Sequence, residues 1–291
     1  MPAINDMKPL MPALLLGWKL TLLPLFVGFL YLFLQSMRAV ILETIIAALL
    51  PIDWVLALWQ GGSAAHGYTD EWSDIDIAVI VEDYRVQDTF DILEQSLKTI
   101  SEIQFKWRVP EPAWHGHSQC FYQLEGVNPF LQIDFAVLKR SSRNDFLEVE
   151  RHGNVVVGFD KANLVTPPAL DKIKHLQEMQ ARLAILKNNF DFLQIFVKKE
   201  LNRGNLVAAI SNYHSHTLNP LIEVLGMLYR PNRYDFETKY FNRDFPVEVI
   251  DQVENLYCLS SLDDLAKKQQ EAELLFAETV KKVEASFPLG L

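Results

Sequence analysis

The chain after residue 37 mixes two hydrophobic patterns. In some segments apolar residues recur every three or four positions, which is typical of helices with one buried face. Other segments are short continuous apolar runs bounded by glycine or polar residues, which are typical of buried strands. Strands mixed with helices predict an α/β or α+β domain. In chain order the patterns predict a helix over 38–50, strands over 54–60 and 75–81, a helix over 89–103, and strands near 104–109 and 130–138.

The pattern becomes helical after the Thr-Pro-Pro run at 166–168, because consecutive prolines suit neither helix interiors nor central strands. Between 176 and 197 apolar residues alternate in steps of three and four, and Gly204 follows as a stop signal. This stripe is typical of a dimer interface or of a helix packed on its own neighbours. The expected organisation is α+β, with a mixed-sheet domain over 37–166 followed by an all-helical C-terminal domain over 167–291.

The first 36 residues form an apolar extension. Residues 20–37 carry no charge, a length at the lower edge for a membrane-spanning helix. No small-residue cleavage site follows, so a removable signal peptide is not expected. Three interpretations stay open: a membrane anchor, an upstream extension from a mispredicted start with Met37 as the real beginning, or a buried core helix. The only charged residues among the first 50 are Asp6, Lys8, Lys19, Arg38 and Glu43.

Composition excludes several classes of protein. The 291 residues are 49% hydrophobic and 22% charged, which is ordinary for a globular chain and unlike a disordered or collagenous one. A net charge of -10 argues against a broad nucleic-acid surface, because such binding depends on many Lys and Arg contacts to phosphates. Cys120 and Cys258 stand far apart, so neither a zinc site nor a disulfide framework is indicated.

A glycine-rich segment, Gly61-Gly62-Ser63, follows the first predicted strand. Glycine lacks a Cβ, so an anion can approach its backbone, and Ser63 adds an N–H group and a hydroxyl. After ten further residues, Asp74 and Asp76 stand at i and i+2, so both carboxylates project from one face of the second predicted strand. Two such carboxylates repel each other unless a cation lies between them. Hard oxygen ligands beside a phosphate favour Mg²⁺.

Asp134 is the best candidate for a third carboxylate. It lies in an apolar, strand-like run, where a lone charge is costly unless it meets a metal ion or a partner. Its neighbours Ile133 and Phe135 occupy the opposite face. Three strand-borne carboxylates beside a glycine-rich phosphate loop predict a two-metal site for in-line attack on a phosphoryl group.

These motifs resemble the signature of the nucleotidyltransferase superfamily with the polymerase-beta-type fold. That signature is a Gly-Gly or Gly-Ser pair, a spacer, Asp-x-Asp, and a third carboxylate on a later strand; here it reads Gly62-Ser63, Asp74, Asp76 and Asp134. The wording GGSAAHGYTDEWSDIDIAV is similar to bacterial nucleotidyltransferases acting on aminoglycosides and lincosamides, and to uncharacterised proteins grouped with them. The motifs cover residues 50–140, and the helical half fits the family's substrate domain only in general layout.

The resemblance implies a mechanism. Asp74 and Asp76 would bridge two Mg²⁺ ions, Asp134 would complete the ion beside the acceptor hydroxyl, and Gly62 with Ser63 would hold the triphosphate. The expected reaction moves a nucleoside monophosphate, AMP from ATP, onto a hydroxyl of a small molecule. An acidic protein suits a polyamine-like or neutral acceptor better than RNA. The helical domain would bind the acceptor.

Several residues are weaker candidates. Asp134 could take the acceptor's proton itself, although some family members use a separate glutamate, for which Glu111 and Glu125 are nearest. His115 and His117 could bind a metal ion, but no further ligands stand at suitable spacing. The aromatic residues that could stack on a base or ring, or else fill a core, are Trp107, Trp114 and Tyr122.

Two other classes of function compete with this expectation. One is a regulatory, antitoxin-like protein that keeps the fold without turnover, and the other is an enzyme that modifies a protein or a tRNA end. The five intact signature residues weigh against the first. Because the chemistry needs ATP, a cytoplasmic location is expected, with membrane contact only through residues 20–37 if that segment is genuine.

Overall fold

The computed structural model describes residues 37–111, 113, 115–142 and 147–287. The chain divides after Ala169 into two compact units, which we call the sheet unit and the helical unit. The apolar extension over 1–36, with its three interpretations, lies outside the described residues. Within the described ranges, none of the helices combines the length and the apolar character that a membrane crossing requires.

The sheet unit is built around a single mixed sheet. Its elements are α1 (37–49), β1 (Val55–Gln60), α2 (Gly62–His66), β2 (Ile75–Val81), α3 (Val86–Leu97), β3 (Ile103–Arg108), β4 (Ser118–Leu124), β5 (Ile133–Lys139), α4 (Val149–His152) and β6 (Val156–Asp160). The six strands lie in the order β3-β4-β5-β2-β1-β6. β2 and β5 pair in parallel, and the other neighbours pair antiparallel.

Side-chain alternation along the central strands separates the two faces of the sheet. Ile75, Ile77 and Val79 of β2 are buried in a core that also contains Ile45 of α1 and Phe90 of α3. The even-numbered residues of β2 therefore project from the opposite face, which we call the open face because Asp76 lies on it; farther along β2, Ile80 is buried on this face in a second cluster with Leu138. Helices α1 and α3 thus cover one face and leave the candidate carboxylates on the other.

The sequence patterns predict β1, β2, β3 and β5 but neither β4 nor β6. The expected strands at 54–60 and 75–81 correspond to β1 and β2, and the helix expected over 89–103 spans Val86–Leu97. Strands β4 and β6 were missed. The continuous apolar runs in these segments, 120–122 and 155–157, are only three residues long, which is shorter than the run of four to eight that indicates a buried strand.

The helical unit contains α5 (Lys172–Arg203), α6 (Leu206–Tyr213), a π-helical turn (His214–Leu218), α7 (Asn219–Tyr229), a 3₁₀ turn (Pro231–Arg233), α8 (Phe241–Asp244), α9 (Val247–Tyr257) and α10 (Leu262–Ser286). Asp171 caps α5 by accepting a hydrogen bond from the backbone N–H of Lys174, and Gly204 ends it at φ 73°. The apolar stripe of α5 packs inside this unit. The predicted α+β class, a mixed sheet followed by helices, is confirmed.

Phe190 of α5 offers a test of this packing. Its ring stacks on Phe276 at 3.6 Å between ring centroids, whereas Phe192 on the same helix is exposed. Phe190→Ala is expected to lower the free energy of unfolding by about 3–5 kcal/mol, because a buried ring leaves a cavity. Phe192→Ala should change it by less than about 1 kcal/mol. Urea unfolding measures both, and equal losses would contradict the packing.

Candidate active site

Asp76 and Asp134 stand side by side at the centre of the sheet. The parallel register of β2 and β5 places Asp76 directly opposite Asp134, with Ile75 opposite Ile133. Because neighbouring strands lie about 4.8 Å apart, the two carboxylates emerge close together on the open face. Both residues are half-buried. The pairing of carboxylates from two distant segments, which the motif only implied, is therefore present in the fold.

Gly62 packs directly against Asp76. Its φ is +52°, and a Cβ built on Gly62 would lie 1.7 Å from Asp76 Oδ2. The backbone N–H of Gly61 also donates to the carbonyl oxygen of Asp76 at 3.1 Å. From the sequence, these glycines are expected to let an anion approach the backbone. In the structure the missing Cβ of Gly62 makes room for a carboxylate, so the glycine turn and the acidic strand form one unit.

Ser63 follows in the short helix α2, and its hydroxyl oxygen is buried without a hydrogen-bond partner in the structure. A buried polar group of this kind is costly unless something satisfies it. The backbone carbonyl of Ser63 accepts from the N–H of Tyr68 at 2.9 Å, which fixes the start of the loop leading to β2. Ser63 thus offers a hydroxyl in the residue that follows the glycine packed against Asp76.

Arg38 holds the loop end that carries Asp74. Its guanidinium donates to the carbonyl oxygen of Asp74 at 2.8 Å and to that of Ser73. Burial lowers the pKa of Arg38, and the negative charges of Asp74, Asp76 and Asp70 act in the opposite direction. Only 8% of Arg38 is exposed. A cation from α1 therefore lies close to the acidic cluster, while Asp74 itself is exposed to solvent.

A chain of hydrogen bonds supports Asp134 from the neighbouring strand. Gln119 Nε2 donates to Asp134 Oδ1 at 2.6 Å, and Gln119 Oε1 lies 3.1 Å from His115 Nε2. The backbone N–H of His117 donates to His115 Nδ1, which places the proton of a neutral His115 on Nε2. The donors and acceptors then run in one direction, from His115 through Gln119 to Asp134. This chain orients the carboxylate.

The donor set suits a hard divalent cation. Asp76 and Asp134 offer carboxylate oxygens from neighbouring strands, and Gly62 packs against Asp76. The next residue, Ser63, has a buried hydroxyl without a partner among the described residues. Among the described residues, no three His, Cys, Asp or Glu side chains converge into a ready-made metal cage. Mg²⁺ commonly binds one or two carboxylates and completes its shell with water and substrate phosphates. The residues present fit that mode of binding.

The weaker candidates have other surroundings. Glu111 accepts hydrogen bonds from the hydroxyl of Ser118 at 2.7 Å and from Arg108 at 3.0 Å, and these partners hold its pKa below the ordinary value. A lowered pKa does not favour proton abstraction near neutral pH. Glu125 is exposed in the turn after β4. Tyr122 is buried and donates to Glu94, so it belongs to the core. Trp114 lies outside the described residues.

Comparison with known proteins gives the following findings. No protein-family model matches the chain, and no curated protein sequence matches it. Among solved structures, an aminoglycoside 6-adenyltransferase from Bacillus subtilis is 14% identical, with a TM-score of 0.34, and the match covers 84% of this chain and 91% of that one.

Two further solved structures are similar. A spectinomycin adenyltransferase AAD(9) from Enterococcus faecialis, with ATP and spectinomycin, is 11% identical with a TM-score of 0.32 over 86% of this chain and 99% of that one. A STING-associated CdnE c-di-GMP synthase from Capnocytophaga granulosa is 14% identical with a TM-score of 0.28 over 84% of this chain and 78% of that one.

Arg38 and Gln119 are the site residues that the sequence analysis missed. Gln119 gave no signal, because its partner is reached only through strand pairing. Arg38 gave a faint one, since it and Glu43 are the charged residues in an otherwise apolar helical stretch. A lone arginine on such a helix indicates a partner for its charge.

Gly62→Ala tests the contact with Asp76. The new methyl group must displace the carboxylate and the residue must adopt positive φ, which together should destabilise the fold by at least about 1–2 kcal/mol. The variant should also weaken Mn²⁺ binding, measured by electron paramagnetic resonance. The matched control is Gly61→Ala, because nothing lies within 4 Å of a Cβ there. If the two variants behave alike, the contact is unimportant.

Arg38→Gln tests the anchor of the loop. It removes charged donors from two carbonyl oxygens, so the free energy of unfolding should fall by about 1.5–3 kcal/mol. Arg140→Gln is the control, because Arg140 forms an exposed ion pair with Glu82, which is worth at most about 1 kcal/mol. Denaturant titration measures both, and a smaller loss for Arg38→Gln than for Arg140→Gln would contradict the anchoring role.

Proposed function

We propose that this chain is a nucleotidyltransferase that moves a nucleoside monophosphate, AMP from ATP, onto a hydroxyl of a small molecule. One observation carries the proposal: the strand register sets Asp76 beside Asp134 on the open face, with Gly62 packed against Asp76 and Ser63 next to Gly62 in the chain. This is the arrangement that in-line phosphoryl chemistry requires, with carboxylates at the reacting phosphate and a glycine turn for the tail.

Asp74, Asp76 and Asp134 are the proposed ligands of two Mg²⁺ ions. Bound Mg²⁺ would neutralise the negative charge on the phosphate oxygens during the displacement. Arg38 keeps the loop end in place and adds a positive charge near the cluster, so that the carboxylates tolerate one another before a cation arrives. Asp74 is exposed to solvent, so it is the proposed first contact of an incoming hydrated Mg²⁺ ion.

Gly62 and Ser63 are the proposed triphosphate site. The hydroxyl of Ser63 has no partner among the described residues, and a phosphate oxygen would satisfy it. The acceptor oxygen forms its bond to the α-phosphorus while the bond to pyrophosphate breaks. Asp134, oriented by Gln119, is the proposed group that receives the hydroxyl proton.

Since ATP is the donor, we also propose a cytoplasmic site of action.

Within this proposal, residues 37–166 form the nucleotidyltransferase domain and residues 167–291 contribute to acceptor binding. The net charge of -10 favours a neutral or cationic small acceptor over a nucleic acid. The paired carboxylates favour catalysis over the regulatory alternative. A site without turnover has no physical need for two carboxylates held side by side.

Substitution of the carboxylates tests the proposal. Asp76→Asn and Asp134→Asn are each expected to lower ATP-dependent pyrophosphate release by at least about 100-fold, because each removes a charge at the reacting phosphate. Asp91→Asn, at an exposed position on α3, is the control and should retain full activity. Assays contain ATP, Mg²⁺ and a panel of hydroxyl acceptors, and mass spectrometry identifies any product that has gained one AMP.

Two results would contradict the proposal. One is a wild-type protein that binds ATP and yields neither pyrophosphate nor a nucleotidylated product, which would support the regulatory class. The other is unchanged activity in both aspartate variants, which would place the chemistry elsewhere.

A further inference from the structure

An aromatic row continues from the carboxylates across the sheet. In the antiparallel register, Phe121 of β4 pairs with Asp134, and Trp107 of β3 pairs with Phe121. Directly opposite residues in antiparallel strands project from the same face. Asp76, Asp134, Phe121 and Trp107 therefore stand in one line on the open face, ordered from the centre of the sheet to its edge.

The aromatic side chains of this row pack on one another and stay partly exposed. Trp107 and Phe121 stack at 5.4 Å between ring centroids with an angle of 17° between their planes. Trp107 remains 51% exposed, and Phe105, two residues earlier on the same face, is 54% exposed. We call Phe105, Trp107 and Phe121 the aromatic platform.

The platform reverses the usual polarity of a strand. Lys106 and Arg108 of β3 point toward the covered face, where Lys106 pairs with Glu94 at 2.5 Å and the Arg108 guanidinium lies 3.6 Å from the centre of the Phe90 ring. A half-buried antiparallel strand normally places apolar residues inward and polar residues outward. Packing among the described residues of the sheet unit leaves these rings exposed, which fits a ligand on the open face.

The direction of the reaction identifies that ligand. Gly62 and Ser63, the proposed site of the triphosphate tail, lie on the Asp76 side of the carboxylate pair, and the platform lies on the Asp134 side. In-line displacement needs the attacking oxygen and the leaving pyrophosphate on opposite sides of the phosphorus. The acceptor hydroxyl must then approach from the Asp134 side, over the platform.

We propose that the aromatic platform is the acceptor subsite, and that the acceptor carries a ring with a flat apolar face that stacks on Trp107. This inference rests on the proposed function, which sets the side of the triphosphate. Strand spacing places the Trp107 Cα about 10 Å from that of Asp134. An acceptor with its hydroxyl at Asp134 and its ring at Trp107 is thus one or two rings long.

Binding measurements without metal test the subsite independently of catalysis. Isothermal titration in EDTA compares ring-bearing probes (2-phenylethanol, uridine and phenyl glucoside) with the open-chain probes glycerol and 1,4-butanediol. At least one ring-bearing probe should bind the wild-type chain, and Trp107→Ala should weaken it about tenfold, since one stacking contact is lost. Trp107→Phe should keep affinity within about threefold of wild type.

Tyr84→Ala is the matched control. Tyr84 is 78% exposed in the loop after β2, so its loss removes an exposed ring that is not part of the aromatic platform. Its affinity for the probes should equal that of the wild type. Because Trp107 is exposed on an edge strand, its substitution should leave the fold intact, which thermal unfolding checks.

Three outcomes would overturn the inference. The first is that no ring-bearing probe binds, or that Trp107→Ala binds it as tightly as the wild type. The second is competition between the probe and ATP, which would place the nucleobase on the platform. The third is a Trp107→Ala variant that changes the sedimentation of the chain but not probe binding, which would assign the platform to a contact between copies. A failed pyrophosphate assay with intact probe binding would instead refute only the proposed function.

Discussion

The parallel pairing of β2 with β5 is the constraint on which the candidate site depends. It fixes Asp76 opposite Asp134, and a slip of one residue would turn one of the two carboxylates into the core. The next residues along the two strands, Ile77 and Phe135, are buried beneath α1 and α3 and hold that register. The position of the charges is thus set by hydrophobic packing on the far side of the sheet.

The pairing brings like charges together, and the surrounding residues reduce the cost. Arg38 reaches the carbonyl oxygens at the start of β2 from helix α1, and Gln119 donates to Asp134 from β4. Gly62 leaves the space that the Asp76 carboxylate occupies. Each of these contacts comes from a different element, so the acidic pair is held by the whole sheet unit rather than by its own strands.

The parts of the site that lie close in sequence could be predicted, and those that depend on tertiary contacts could not. Gly62, Ser63, Asp74 and Asp76 belong to one short motif, and β1 and β2 are apolar runs that report their own burial. Arg38 and its partner Asp74 are 36 residues apart, and no local pattern joins them. The role of Gly62 also differs from the expected one, because only the tertiary structure shows that the Asp76 carboxylate fills the space beside it.

The sequence also does not predict the aromatic platform. Apolar and polar residues alternate along β3 in the same way whichever face of the strand is covered. Trp107 was noted as a residue that could stack on a ring or fill a core, and its partner Phe121 and its exposure followed only from the register of β3 with β4. The choice between those interpretations is a question of which face α3 covers. Local sequence does not contain that information.

The topology also has a consequence for how the chain folds. β1 pairs with β2, and β3 with β4 and β4 with β5, through antiparallel contacts between strands that follow one another in the chain. The link between these two pieces is the non-local parallel pair, whose closure costs more chain entropy and is slower to form. Asp76 belongs to one piece and Asp134 to the other. The candidate site therefore forms only when β2 pairs with β5. A chain in which both pieces were formed but not yet paired would have most of its strands and would lack the adjacent carboxylates.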